Sequence, residues 1–391
     1  MVSVILGLTV LSLLIWIGML VFWGQFWRAD QRLDRESAPS LATWPTVAVV
    51  IPARNEADLI GTTVRSHLTQ TYPGSLFVVL VDDQSTDGTA TVARDAAVSL
   101  VLGDRLTVLS GQPLPPGWTG KLWAMEQGFR YLAAQATPPD YVLFTDADIE
   151  HDRLGVQQLV TKAEAETLDL VSLMVQLRCQ SLWEKLLIPA FIFFFQMLYP
   201  FRWVNDPRKQ TAAAAGGCAL IRFSALQRIN GLQSIRQALI DDCALGAAVK
   251  AEGAIWLGLS TTTRSLRPYP DLASIWSMVT RSAYTQLNYS PWLLVGTLLG
   301  MALVYLIPPV GLGLGLLWGN NALAVTGLGA WLLMAIAYWP TVRLYRVAPA
   351  IALALPFIAL LYTLMTLDSA RRHWVGQGGA WKGRVYSHLQ E

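Results

Sequence analysis

The sequence predicts an α/β domain built on a mostly parallel sheet, with one transmembrane anchor before it and further transmembrane helices after it. Three observations carry this. Short β-branched runs alternate with helix-like stretches between Thr46 and Gln176, the pattern of parallel strands joined by crossover helices. Long apolar stretches without charge lie towards both ends of the chain, long enough to cross a hydrocarbon core of ~30 Å. Of 391 residues, 53% are hydrophobic and 14% charged, whereas ordinary globular proteins carry about 25% charged residues. The net charge of +2 gives no footprint for nucleic acid. Three separated cysteines, Cys179, Cys218 and Cys243, form neither a disulfide framework nor a zinc pattern and suit a reducing compartment.

Taken in order, Val2 to Trp27 reads as an uncleaved anchor (residues 1–27), because it lacks both a basic leader and a small-residue cleavage site. Trp16, Trp23 and Trp27 suit an interfacial belt, and Arg28, Arg32 and Arg35 place the next domain in the cytoplasm by the positive-inside rule. A linker covers 28–45, with Pro39 to Pro45 at its end, and an α/β domain is expected over 46–271. Strands are expected at Val47–Ile51, Leu76–Val81, Leu106–Leu109, Tyr141–Thr145 and Leu168–Gln176. Helices are expected at Leu59–Gln70, up to Arg94 with Ser85 or Asp87 as cap, and at Lys121–Ala134.

Three of these strands run into polar clusters: Arg54-Asn55-Glu56, Asp82-Asp83 and Asp146-Ala147-Asp148. The carboxyl edge of an open α/β sheet is where ligands bind. Asp146 and Asp148 are two apart, so on a regular pleat they would alternate between faces; the chain turns there, and both can approach one hard divalent cation. A capped turn with solvated acids is the alternative for an isolated pair, and the repetition of acids at several strand ends weighs against it. Neither G-x-G-x-x-G after the first strand nor a P-loop occurs, which excludes the common dinucleotide and nucleoside-triphosphate motifs.

Leu186 to Trp203 is apolar and aromatic but interrupted by Pro189, Gln196 and Pro200, and is expected to lie in the interface or re-enter. Gly216-Gly217 in Ala212–Ile221 permits close approach of a ligand, or is a plain turn. Asp241-Asp242 begin a helical pattern, where capping alone would account for them. An amphipathic interfacial helix is expected over 272–289, and a membrane region over 290–368 with three spans: Trp292–Trp318, Ala322–Trp339 and Ala350–Leu367. The basic tail, 369–391, conflicts with the positive-inside rule if every span crosses. Either the stretch near Pro349 and Pro356 re-enters or another segment crosses differently.

The motifs VVIPARNEA, VDDQSTDGT, GWTGKLWAMEQG, FTDADIEH, AAAAGGCALI and LIDDCALG, in that order, resemble the family 2 glycosyltransferases, which have the GT-A fold. LPPGWTGKLWAMEQG, FTDADIEH and the tail WKGR followed by Tyr386 are most similar to the bacterial hopene-associated group, related to ceramide and carotenoid glycosyltransferases. The resemblance implies a nucleotide-diphosphate sugar donor, a divalent metal (Mg²⁺ or Mn²⁺) and a lipid acceptor at the cytoplasmic membrane, with no role for nucleic acid. It places Pro52, Arg54, Glu56, Asp82, Asp83, Lys121, Asp146, Gly216 and Gly217 at the nucleotide sugar. It assigns Asp146 and Asp148 to the metal, with Asp148 the stronger candidate for direct ligation. Asp242 falls at the position of the catalytic base, and Asp241 where the family usually has Glu.

One departure is visible. Relatives of the ceramide type carry Q/R-x-x-R-W after the base, whereas no Trp follows Arg281 here. Arg281 remains a candidate at the diphosphate, while processive synthesis is disfavoured. The expectation is therefore inverting transfer of one sugar to a lipid hydroxyl, with a hopanoid as the foremost acceptor. Polyprenyl-phosphate or another lipid is the alternative acceptor, and a catalytically silent nucleotide-binding scaffold is the alternative outside enzymes.

Overall fold

The structure is a computed structural model describing residues 2–33, 41–377, 380–381 and 384–385. The expectations for Arg35, for the linker around Pro39 and for Lys382, Gly383 and Tyr386 of the tail lie outside the described residues. The chain divides into two compact units: Met1–Ala29, Cys179–Arg202 and Tyr269–Gly379 form one, and Asp30–Arg178, Trp203–Pro268 and Ala380–Glu391 the other.

The second unit is organised by a sheet of β1 (Val47–Ala53), β2 (Leu76–Asp82), β3 (Leu106–Ser110), β4 (Tyr141–Phe144), β5 (Ile149–Glu150), β6 (Leu170–Gln176), β7 (Ala219–Arg222) and β8 (Ile255–Ser265). Its order is β3-β2-β1-β4-β7-β6-β8-β5. Every residue of β1 is buried, as a β-branched run between two layers requires. Helices Ala57–Leu68, Thr89–Val98 and Gly120–Ala133 alternate with β1 to β4, and those four strands are parallel. Beyond β4 the sheet is mixed: β7 runs antiparallel to β4 and β6, and β5 antiparallel to β8, while β6 and β8 are parallel. Because β6 is antiparallel to the same strand as β4, it and β8 run in the direction of β1 to β4, so the sheet is mostly parallel, as expected, with only β5 and β7 reversed. β5 is a short return from the Asp146–Asp148 turn, and β7 inserts in reverse between β4 and β6; neither is written in local hydrophobic periodicity.

The sheet order also fixes where ligands can approach. The chain moves outward from β1 to β2 and β3, then returns to place β4 on the other side of β1. Between the carboxyl ends of β1 and β4 is therefore a topological switch point, where open α/β sheets leave a crevice.

The first unit is helical. Among the described residues, four helical stretches are long and apolar enough to cross a membrane: Val2–Phe22, Pro291–Leu317, Asn321–Leu344 and Pro349–Trp374. Its core holds Trp16, Phe193, Tyr338 and Ile358, whereas Leu14, Phe22, Leu316 and Val325 stay exposed, as side chains facing lipid do. Pro308 has no N–H for the carbonyl of Val304 four residues earlier. The stretch widens to a π-helix over Ala302–Leu306, and Trp16 Nε1 and Ser12 Oγ donate to Val304 O at 3.0 and 3.2 Å. Pro349 and Pro356 lie in the first turns of a 3₁₀ and an α segment, where a missing N–H is tolerated. The 3₁₀ segment Pro349–Ala354 leads directly into the helix Leu355–Trp374.

Two boundaries move. The helix Leu182–Leu198 buries Leu187, Ala190 and Phe193 in the core of the first unit, so an α/β domain uninterrupted over 46–271 is not observed. The expected helix over 272–289 stops at Thr280. A 3₁₀ turn at Thr285–Leu287 follows, and Asn288 and Tyr289 take left-handed backbone angles, which a continuing helix of L-residues excludes.

Candidate active site

Within the α/β unit, four separate segments meet at one ammonium. Lys121, in the first turn of Gly120–Ala133, places Nζ 2.8 Å from Asp146 Oδ1 and 3.0 Å from Asp241 Oδ2. Asp146 follows β4, and Asp241 and Asp242 open the helix Asp241–Lys250. Asp242 Oδ2 accepts the Gly216 N–H at 3.0 Å, and its Oδ1 the Cys243 N–H at 2.8 Å. A Cβ on Gly216 would stand 2.9 Å from Lys121 Nζ and 3.6 and 3.7 Å from the Oδ2 atoms of Asp242 and Asp146. Glycine at this position keeps the backbone close to the charged cluster.

The electrostatics follow from that crowding. Burial, then Asp241, raises the Asp242 carboxyl to about 6, with Lys121 pulling the other way. Asp146 is also raised, first by burial, against the pull of Lys121. Burial works against the charged form of Lys121, but Asp146 and Asp241 outweigh it and hold its pKa up. Three carboxylates thus share one ammonium, leaving an excess of negative charge that favours a further cation.

Asp148 is directed elsewhere. Its Oδ2 accepts from Arg267 Nε at 3.0 Å and from Ser265 Oγ at 3.1 Å. The Arg267 Nη2 also binds Glu56 Oε1 at 2.7 Å, so one guanidinium ties the ends of β1 and β4. Nearby, Arg54 Nη1 donates to Asp83 O at 2.6 Å. Asp82 Oδ1 accepts the Ser85 N–H at 3.1 Å, and Asn55, in the left-handed region, accepts the Thr86 N–H at 2.9 Å. Asp87 receives the N–H groups of both Thr89 and Ala57, serving the N-termini of two helices at once. Pro52 lies at the end of β1, and Gly217 packs against Val175 and Ile149. Arg281 belongs to the other unit, as the C-cap of Leu272–Thr280.

The turn carrying the acids is clamped from behind by the helix Ala57–Leu68 and the residues after it. Thr63 Oγ1 donates to Ala147 O, Ser66 Oγ accepts the His151 N–H, and Gln70 Nε2 donates to Asp152 O. Thr145 Oγ1 gives its proton to Gly217 O at 2.9 Å and lies 3.1 Å from His151 Nε2, which assigns the His151 proton to Nε2. The rings of His67 and His151 pack at 4.3 Å. Burial lowers both, His151 to about 3.

The donor set suits a hard divalent cation. Among the described residues, Asp146 Oδ2 and Asp148 Oδ1 accept no hydrogen bond, and carboxylate oxygens are the ligands Mg²⁺ and Mn²⁺ take. Among the described residues no group of three or more His, Cys, Asp or Glu is arranged to hold such an ion. A cation here needs further oxygens from a ligand. Arg267, Ser265 and the His67–His151 pair were not singled out in the sequence. Arg267 stands just after a strand that already contains Arg264, and only the folded sheet shows which acids it meets.

Residues 48–229 match the model of glycosyl transferase family 2. They take up somewhat less than half of the 391-residue chain. A 4,4'-diaponeurosporenoate glycosyltransferase of Staphylococcus haemolyticus is 31% identical over 108 residues, 28% of this chain and 25% of that protein. Glycosyltransferase AglE of Haloferax volcanii is 29% identical over 131 residues, 33% of this chain and 39% of its own length. The chain therefore spans well under half of either curated relative. The mannosyltransferase PcManGT from Pyrobaculum calidifontis, solved with GDP-Man and Mn²⁺, has a TM-score of 0.55 at 20% identity, covering 95% of this chain and 98% of that one. That likeness is one of fold, of the GT-A type.

Proposed function

We propose that this protein is a membrane-bound, inverting glycosyltransferase that moves one sugar from a nucleotide-diphosphate sugar to a hydroxyl of a membrane lipid. The observation that carries the reading is Asp242: a carboxylate oriented by two backbone N–H groups, raised to about 6, beside Lys121, Asp146 and Asp241. A general base works best with a pKa near the working pH. Asp242 takes the proton of the acceptor hydroxyl as its oxygen bonds to the anomeric carbon. The bond from that carbon to the diphosphate oxygen breaks on the opposite face, and the nucleoside diphosphate leaves with the electron pair.

The other residues divide the remaining work. Lys121 offers an ammonium to the departing phosphate oxygens, and Gly216 leaves room beside it. Pro52 and Asp82 at the ends of β1 and β2, with Arg54, Glu56 and Asp83 on the loops that follow, would receive the nucleotide. Asp146 and Asp148 would hold Mg²⁺ or Mn²⁺, which when bound supplies positive charge at the leaving diphosphate.

A lipid acceptor is supported by the four apolar helices and by the weak relation to an enzyme named for diaponeurosporenoate. The hopene-associated motifs favour a hopanoid. The arginines after the first helix favour the inner membrane with the α/β unit on the cytoplasmic side. The test uses the full chain in nanodiscs with lipid extract and a panel of labelled nucleotide sugars with Mg²⁺ or Mn²⁺. Label entering the organic phase only with a divalent cation supports the reading. No label from any donor, with folded protein, points to a nucleotide-binding scaffold instead.

A further inference from the structure

We propose that Arg267 is a built-in counter-cation for Asp148, which occupies this carboxylate in the donor-free protein and yields it when a divalent cation binds. The inference rests on the reading of Asp146 and Asp148 as metal ligands. It concerns a residue that no motif singled out and that sits at the end of β8, far from both acids in the sequence.

Four observations support it. Arg267 spans Asp148 Oδ2 at 3.0 Å and Glu56 Oε1 at 2.7 Å. A guanidinium donating to two carboxylates makes strong, directional bonds, so Asp148 is not held by solvent alone. The same Oδ2 is the atom Ser265 Oγ reaches, and Leu266 N–H donates to Asp148 O at 2.8 Å. The carboxylate therefore stays in place when the arginine leaves. Arg267 is also the partner with room to move: its side chain is 32% exposed, against 10% for Asp148 and 9% for Glu56. A divalent cation on Asp148 would stand next to the Arg267 guanidinium, and like charges so close repel strongly in a partly buried site.

The consequence is a dependence of metal binding on the donor. Without nucleotide, a cation must displace Arg267 and finds no third acid arranged with Asp146 and Asp148 among the described residues. With a nucleoside diphosphate present, phosphate oxygens supply ligands and negative charge, and the displaced guanidinium has an anion to pair with. Arg267 thereby keeps the donor-free protein from holding metal tightly.

A permanent strut makes the opposite prediction. If Arg267 only shaped the acidic turn, removing it would disorder Asp148 and weaken metal binding. The experiment titrates Mn²⁺ alone into the full-length protein in nanodiscs, reading free Mn²⁺ by electron paramagnetic resonance. Arg267→Met is expected to tighten nucleotide-free Mn²⁺ binding by about tenfold or more. Arg267→Gln, a second neutral variant, gives the same direction, and Arg267→Lys, which keeps the charge, gives little gain. Adding Asp148→Asn to Arg267→Met removes the gain. With GDP or UDP at saturation, the difference between wild type and Arg267→Met shrinks. Unchanged or weaker Mn²⁺ binding in folded Arg267→Met and Arg267→Gln overturns the inference, as does a gain that survives Asp148→Asn. The titration needs no sugar transfer. Transfer without the predicted gain therefore defeats this inference alone, and the gain without transfer from any donor defeats the proposed reaction alone.

Discussion

Replacing Asp241 by Asn isolates the electrostatics of the proposed base. Burial and then Asp241 raise Asp242 to about 6, while Lys121 acts in the other direction. An aspartate in water titrates near ~3.9, so the site favours the proton by roughly two units, or about 3 kcal/mol. Asp242 accepts a proton only when ionised, so kcat/KM should rise with pH and level off above ~7, with about a tenth of the plateau left near pH 5. Asp241→Asn removes the second cause and leaves burial in place. Lys121 loses its 3.0 Å pair with Asp241 but keeps Asp146 at 2.8 Å, so it continues to pull the pKa of Asp242 down. The acid limb should move to lower pH by on the order of one unit. The assay is the initial rate of labelled transfer at subsaturating donor from about pH 4.5 to 8, on both proteins. A limb that stays in place, or moves upward, refutes the assignment of Asp242 as the titrating group.

Three further outcomes follow from the same site. Asp242→Asn should lose transfer yet stabilise the α/β unit at neutral pH. The folded carboxyl binds its proton more tightly than the unfolded one, so ionisation as pH rises through about 6 costs up to ~3 kcal/mol; thermal unfolding near pH 7.5 should improve and near pH 4.5 should not. Gly216→Ala puts a methyl group 2.9 Å from Lys121 Nζ, the end of a flexible chain that can swing away. Unfolding should change by less than ~1 kcal/mol while transfer falls by at least about tenfold, and the reverse pattern would contradict the close-approach argument. His67 and His151 are buried with lowered pKa values, so the unfolded chain takes up protons first as pH drops below ~6.5 and stability is lost from there downward. His67→Phe should reduce that loss between about pH 6.5 and 5 in thermal melts, and an unaltered slope would remove the pair from the account.

Much of this site can be read locally, and the unread part has a common cause. Val47–Ala53 is buried along its whole length, so its composition alone signals a strand, and acids directly after such strands mark the sheet edge. Asp241 and Asp242 were ambiguous because a first helical turn favours acids for its own reasons; only the folded chain puts Lys121 and Gly216 beside them. The link from Arg267 to Glu56 and Asp148 is invisible in the sequence because those acids lie 211 and 119 residues away, and no spacing rule reaches that far. The polar interruptions of Leu182–Leu198 have partners that only the fold reveals: Gln196 Nε2 donates to the carbonyls of Phe26 and Arg28. The break after Thr280 was hidden by apolar spacing that continued past it, while Asn288 and Tyr289 turned left-handed.

The central claim is that Asp242 deprotonates a lipid hydroxyl in an inverting transfer. The most direct measurement is single-turnover transfer in nanodiscs by wild type and Asp242→Asn, with donor binding followed in the same samples and the anomeric configuration of the lipid product read by NMR. Wild type should give an inverted product, and Asp242→Asn should bind donor without forming product. A product of retained configuration, or transfer by Asp242→Asn at the wild-type rate, would contradict that claim.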